Sequence, residues 1–232
     1  MKKGFQIAID GPIAAGCSSV AKKLARELKL TFIDTGAMYR VVTFLALRNK
    51  LELGDGEKIV SLLKKVEMRV EWESELEDGL MRIWVDGEEV TGMVRTKKID
   101  VSVARVAALP RVRETLVGKQ QEMARGKGVV MEGRDIGTRV LPEADLKIYL
   151  DANEKVRVER RMKELRQAGY YPSWEGLKKR IRERDRIDRN RKTDPLRSVK
   201  GALVLDTGDL TIDEVVEKIV KKAKTLQNKG EK

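Results

Sequence analysis

The chain has 232 residues, 41% of them hydrophobic, enough for one α/β core with a small inserted unit. No apolar run approaches the ~18 residues of a membrane span, the charged start lacks the form of a signal peptide, and the single cysteine excludes an intrachain disulfide; a cytoplasmic location is expected. The net charge is +12 with no histidine, so any catalysis must rest on carboxylates, cations and backbone groups, and the Lys, Glu and Arg content is of the hyperthermophile kind.

The first apolar run, "QIAID" (6–10), predicts a buried strand, and "VAKKLARELK" a helix with Val20, Leu24 and Leu28 on one face beside Ala21 and Ala25. Between them lies "GPIAAGCSS", with the spacing G-x-x-x-x-G-K-[ST] of a phosphate-binding loop except at the lysine. Gly11, Pro12, Ile13, Ala14, Ala15, Gly16, Cys17, Ser18 and Ser19 are the candidate polyphosphate ligands. A turn from strand to helix aims backbone N–H groups at one point, and the helix N-terminus adds partial positive charge. Ser18 stands where a hydroxyl ligand to Mg²⁺ belongs. An ordinary strand-to-helix turn is the alternative. Cysteine at a helix start tends towards thiolate, the wrong sign beside phosphate, and bound nucleotide would return it to thiol. The missing lysine contact is of the charge-assisted type, roughly 1.5–3 kcal/mol in binding, or about 10²–10³ in rate if it acts in the transition state. Lys22 and Lys23 lie too far along the helix to replace it.

A second strand is expected at "TFIDT" (31–35), followed by "DTGAMYR" with Thr35, an exposed Gly36 turn and Arg40. Residues 66–92 change to a period of two: Val66, Met68, Val70 and Trp72 share one face, and Met81, Ile83 and Val85 another. With "EDG" and "VDGEE" as turns, they predict a small antiparallel insert rather than one amphipathic helix. "PRVRE" places Arg113 early in a helix. "GVVME" (128–132) is a third buried strand, ending in "EGRDIGT" with Arg134 and Asp135; "LKIYLD" (146–151) and "ALVLD" (202–206) complete five. Residues 155–200 hold 17 Lys or Arg against 7 Asp or Glu, so ten of the twelve net charges sit there. These arginines stand three or four apart, without aromatic interleaving or an RNA-binding signature. They suit a compact polyphosphate better than a generic basic surface or a nucleic-acid face. "RERDRIDRNR" puts Arg184, Asp188 and Arg191 on one helical face. Thr211 and Glu214 form a capping box before the last helix. Strands alternating with helices predict a parallel sheet with ligands at the carboxyl ends of the strands.

In order and spacing, "IDGP", "DTGAMYR", "VRT" with "PRVRE", "EGRDIGT", "LKIYLDA", "RERD" with "DRNR", and "ALVLDTGDL" resemble bacterial cytidylate kinases from about residue 5 to 222. The resemblance implies an α/β P-loop kinase fold: a five-stranded parallel sheet, a small antiparallel β insert and a helical lid. A core of 1–35, 93–151 and 200–232 would carry a monophosphate-binding region at 36–92 and a lid with its helical segment at 152–199. It implies ATP, with Mg²⁺, on residues 11–19, and CMP or dCMP held by Thr35, Arg40, Arg113, Asp135, Arg184, Asp188 and Arg191. Arg134, Arg157 and Arg161 would serve the transferring phosphoryl group. No nucleic-acid or membrane partner is implied, and a monomer is expected. Cys17 departs from the pattern, as do the apolar loop interior "PIAA" and Ala104, where relatives often carry a base-reading serine. Two other readings follow from the departures and the charge: a nucleotide-binding protein with little or no kinase activity, and a basic RNA-associated factor.

Overall fold

The five apolar runs build one parallel sheet in the computed structural model, which describes residues 4–72 and 81–229. The strands are β1 (Gln6–Asp10), β2 (Thr31–Asp34), β6 (Val129–Gly133), β7 (Leu146–Asp151) and β8 (Leu203–Asp206), in spatial order β2-β6-β1-β7-β8. β1 is central, with Gln6 opposite Val129 and Ile7 opposite Leu146. Alternate side chains enter two cores. Ile7, Ile9, Phe32 and Val130 pack with one set of helices, while Ala8, Ile33, Val129 and Met131 pack with the other. Both faces are covered, which is why these strands read as continuous apolar runs rather than alternating ones.

The helices are α1 (Cys17–Leu28), α2 (Thr35–Arg48), α3 (Gly56–Leu63), α4 (Lys97–Ala107), α5 (Pro110–Ala124), α6 (Glu154–Gln167), α7 (Trp174–Asn190) and α8 (Ile212–Lys229). α1 buries Val20, Ala21, Leu24, Ala25 and Leu28, the expected stripe. The capping box forms at α8: Thr211 N–H and O–H both donate to Glu214 Oε2 at 2.8 Å, and Glu214 N–H returns to Thr211 Oγ1 at 3.2 Å. Gly36, expected in an exposed turn, lies instead in the first turn of α2. Asp34 caps that helix by accepting from Ala37 N–H at 2.9 Å, which starts it immediately after β2.

The insert is a second, antiparallel sheet of β3 (Met68–Trp72), β4 (Met81–Val85) and β5 (Glu88–Glu89). Asp86 at φ 49° and Gly87 at φ 82° form the two-residue turn between β4 and β5; both positive values suit the right-handed twist of a hairpin. The "EDG" turn (77–79) lies outside the described residues. Met81, Ile83 and Val85 are buried in the main core, and Trp72 meets Phe32 of β2 edge-on at 5.9 Å. The insert is therefore fastened to the large sheet and has no separate core. By contrast, α6 and α7 form a hairpin around a small cluster of their own: Val158, Met162, Leu177 and Ile181, with Ile13 packed against it.

Candidate active site

The glycine-rich loop joins β1 to α1 at the carboxyl end of the sheet. Gly16 (φ 95°) is a left-handed N-cap with no side chain to occupy the first N–H groups of α1, so these donors face outward. Ala14 also takes a positive φ, 61°, which costs an L-residue about 1 kcal/mol. The loop is braced from behind. Thr207 Oγ1 lies 3.0 Å from Ala15 O, and Arg157 Nη1 donates to Ile13 O at 3.2 Å. Gly11 has no room for a side chain: a Cβ there would overlap Leu150 O and stand 2.7 Å from Cys17 Sγ.

Cys17 corrects an expectation. Its sulfur is buried against Gly11, and burial, followed by the nearby Glu132 carboxyl, pushes the thiol far above its ordinary value. A helix N-terminus favours a thiolate by roughly 0.3–2 kcal/mol, less than removing that charge from water costs. Cys17 is a neutral packing residue, and its sulfur supplies no charge in the lysine's place.

Three acids cluster under the loop. Asp10, at the end of β1, accepts from Ile136 N–H at 2.7 Å and Gly137 N–H at 2.8 Å. It thereby ties the phosphate loop to the five-residue π turn at 136–140 that follows β6. Burial raises its carboxyl to about 6, although these two bonds oppose the shift. Glu132 is raised to about 8 by burial and by Asp34, with which it shares a hydrogen bond, while the Ser18 hydroxyl favours its ionised form. Ser18, Glu132 and Asp34 thus bring a hydroxyl and two carboxyls together beside the loop.

The predicted monophosphate residues converge at the carboxyl end of β6. Arg113 is completely buried. It bonds Asp135 through Nη2, Asp194 through Nε at 3.2 Å and Ala107 O through Nη1 at 3.1 Å, with its guanidinium 5.6 Å from the centre of the Tyr39 ring. Arg191 takes the other oxygen of Asp135 at 3.2 Å and Asp194 O at 2.7 Å. Asp188 accepts from Arg134 Nε at 3.1 Å and Arg184 Nε at 3.0 Å. Burial would raise the Asp188 carboxyl, but Arg184 and Arg134 outweigh it and hold it below the usual range. Arg184 is shifted down by burial and also by Arg134 and Arg40, so three guanidiniums face one space. Thr35 is near but turned inward, its hydroxyl donating to Glu132 O at 2.9 Å.

The lid arginines divide. Arg157 is buried, bonding Ala152 O at 3.0 Å and Asp185 at 2.7 Å as well as Ile13 O, so it braces the loop from behind. Arg161 reaches across from α6 to Asp100 on α4 at 2.8 Å and also pairs with Glu164. Arg40 of α2 meets the same Asp100 at 2.5 Å. Sequence reasoning missed Asp10, Glu132, Asp100, Asp185, Asp194 and Thr207 as site residues. Asp10 and Glu132 had a usable signal, an acid closing a buried strand; Asp185 and Thr207 lay inside the motifs "RERD" and "ALVLDTGDL", while Asp100 and Asp194 acquire partners only through the fold.

The arrangement offers an anion-binding loop on β1 and, one strand away on β6, a cluster of guanidiniums held by two aspartates. The cytidylate kinase family profile matches residues 7–225. Over 214 residues the chain is 46% identical to a cytidylate kinase of Caldanaerobacter subterraneus subsp. tengcongensis, covering 92% of each chain. Over 222 residues it is 43% identical to one of Geobacillus sp., covering 95% of this chain and 96% of the relative. Over 224 residues it is 45% identical to one of Streptococcus suis, covering 97% and 98%.

Proposed function

The chain belongs to the cytidylate kinase family, and from that premise we propose that it transfers the γ-phosphoryl group of ATP to CMP or dCMP, giving ADP and CDP or dCDP. The observation that carries this reading is the pairing of Arg134 and Arg184 on the buried Asp188, with Arg40 close enough to Arg184 to disfavour its charge. Phosphoryl transfer needs little covalent help: it needs in-line placement of two nucleotides and positive charge around three equatorial oxygens. ATP phosphates lie on residues 11–19. Arg40 and Arg184 take the monophosphate, and Arg113, Asp135 and Arg191 form the rigid wall behind it. Arg134 and Arg161 complete the positive shell around the transferred group, with Arg157 fixing the loop at Ile13 O. The α6–α7 hairpin, with its own small core, serves as the lid within residues 152–199.

Mg²⁺ fits the donor set. It takes few protein ligands alongside substrate phosphates, and Ser18, Glu132 and Asp34 provide a hydroxyl and two carboxyls, one holding a proton that a cation would displace. The ion would neutralise charge on the triphosphate. Asp188 or Asp135 reads the cytosine amino group, a donor where uracil presents an acceptor; Ala104 adds no side-chain hydrogen bond to that selection. Asp→Ala changes at both positions that left the CMP/UMP preference unaltered would remove this assignment.

Cys17 favours one second reading, a nucleotide-binding protein with slow transfer. A coupled assay with ATP, Mg²⁺ and CMP, dCMP, UMP, AMP or GMP in turn separates the two. Turnover of CMP and dCMP above the others is expected. Tight CMP binding by calorimetry without turnover would establish the second reading, and neither binding nor turnover would defeat both.

A further inference from the structure

Arg40 and Arg161 come from opposite walls of the cleft and end on one carboxylate. Asp100 Oδ1 takes Arg40 Nη1 at 2.5 Å, and Oδ2 takes Arg161 Nη2 at 2.8 Å. All three side chains are about a quarter exposed, 25%, 26% and 24%, so solvent and solutes reach the group. The space beside it is short of negative charge. Arg184 is disfavoured as a cation by burial and by the proximity of Arg134 and Arg40, and Asp188 already accepts from Arg184 and Arg134 and lies near Arg191 as well. Asp100 supplies the anion on the Arg40 side. It lies in the first turn of α4, its N–H donating to Thr96 O at 3.0 Å, so its negative charge sits at the positive end of the helix dipole.

A fixed negative charge is an odd component of a cleft that receives two phosphate-bearing ligands, because it opposes both. It makes sense as something to be displaced. A phosphate monoester carries close to two negative charges and three acceptor oxygens, more than one carboxylate can offer two guanidiniums.

We propose that Asp100 is an internal stand-in for phosphate, holding Arg40 and Arg161 until the monophosphate takes Arg40 and frees Arg161 for the transferred group. The inference rests on the phosphate-binding role given above to those arginines. It follows that Asp100 weakens monophosphate binding, screens the cleft against simple anions, and ties the lid helix α6 to α2 and α4 until substrate arrives. Asp100 is thus a positioning residue, acting through the two arginines.

The test uses the full chain and Asp100→Asn, with Asp100→Ser as a second neutral variant and Glu164→Gln as a control that removes the other partner of Arg161. Calorimetry measures Kd for CMP and for inorganic phosphate without ATP; steady-state assays give kcat and both KM values. Both neutral variants should bind CMP and inorganic phosphate about tenfold more tightly, the size of one charge-assisted contact. KM for ATP should stay unchanged, Asp100→Glu should restore the parent affinities, and Glu164→Gln should leave CMP binding as it was. A merely structural role would move both KM values together. Unchanged or weaker CMP and phosphate binding in both neutral variants overturns the proposal. If the parent chain proved inactive on CMP, tighter phosphate binding by the variants would still support the stand-in role while the kinase reading fell.

Discussion

Restoring a cation at position 17 measures what the phosphate loop lacks. The thiol is neutral and buried against Gly11, with Glu132, Arg134 and Asp10 as its charged surroundings. Cys17→Lys places an ammonium among them. Two acids favour it and one guanidinium opposes it, so the new charge is tolerable, and it draws the Glu132 carboxyl down from about 8. With ATP bound, the ammonium gains a charge-assisted contact of roughly 1.5–3 kcal/mol, or about 10–150-fold in ATP affinity. If the contact strengthens in the transition state, kcat rises by about 10²–10³. Cys17→Ala separates charge from packing. It removes one sulfur from a filled site, costing about 1 kcal/mol of stability, and should leave kcat and both KM values within about twofold, because a neutral thiol offers phosphate no charge. A coupled kinase assay, with thermal melts of each variant, reads all of this. The reasoning is refuted if Cys17→Lys melts with the parent and its kcat/KM for ATP lies within about threefold, since the parent would then already hold an equivalent cation. A tenfold loss in Cys17→Ala would refute the packing role of the sulfur.

Four further predictions follow from the same geometry. Alkylation of Cys17 in the native protein should run far slower than that of free cysteine and accelerate in denaturant; fast native alkylation that blocks ATP binding would put the sulfur at the phosphates. Gly11→Ala should lower stability by about 1–3 kcal/mol and weaken ATP binding, because the new Cβ meets the backbone oxygen of Leu150, a residue held in place by its pairing with Leu205 of β8; Gly11→Ala with Cys17→Ala should recover only part of the loss. The Asp10 carboxyl is raised from 3.8 to about 6, so between those values the folded chain holds a proton that the unfolded chain has released. Its contribution is full below about pH 4 and falls as pH rises through about 6, by on the order of 2–3 kcal/mol; melts from pH 4 to 7 should show a steeper slope in the parent than in Asp10→Asn, which keeps the slope of the same sign from Glu132, raised from 4.5 to about 8. Asp135→Asn removes a buried charge partner from Arg113, leaving it Asp194, and from Arg191 at once, and should cost about 3–5 kcal/mol, visible as a fall in Tm of roughly 6–20 °C.

How far the sequence foretold this site varied with the range of each interaction. The five sheet strands lie within a residue of their expected positions because burial on both faces writes a continuous apolar run into each. The Asp86–Gly87 turn was readable because only particular residues accept two positive φ values. The phosphate loop was readable through Gly16, which takes a positive φ, and Gly11, which has no room for a side chain. The state of Cys17 was not. A helix-start rule is local, whereas the burial that defeats it also involves Leu150 on another strand. Arg113 looked like a ligand-facing arginine from its motif, yet it is wholly buried and committed to Asp135 and Asp194. Asp100 and Asp194 had no motif to mark them, since a lone acid between helices acquires meaning only when the chain brings distant arginines to it.

The placement of β1 at the centre of the sheet bears on how the chain is made as well as on what it binds. Gln6 pairs with Val129 and Ile7 with Leu146, so neither neighbour of β1 exists until more than about a hundred further residues have been synthesised. β2 has the same dependence, since Thr31 also pairs with Val129. During translation the two apolar segments that later support the nucleotide cleft wait unpaired while α1, α2 and the insert emerge. Pairings so distant along the chain are slow to form and leave strand edges open to other chains meanwhile. The glycine-rich loop is translated well before β6 and β7, the strands that close it into its sheet.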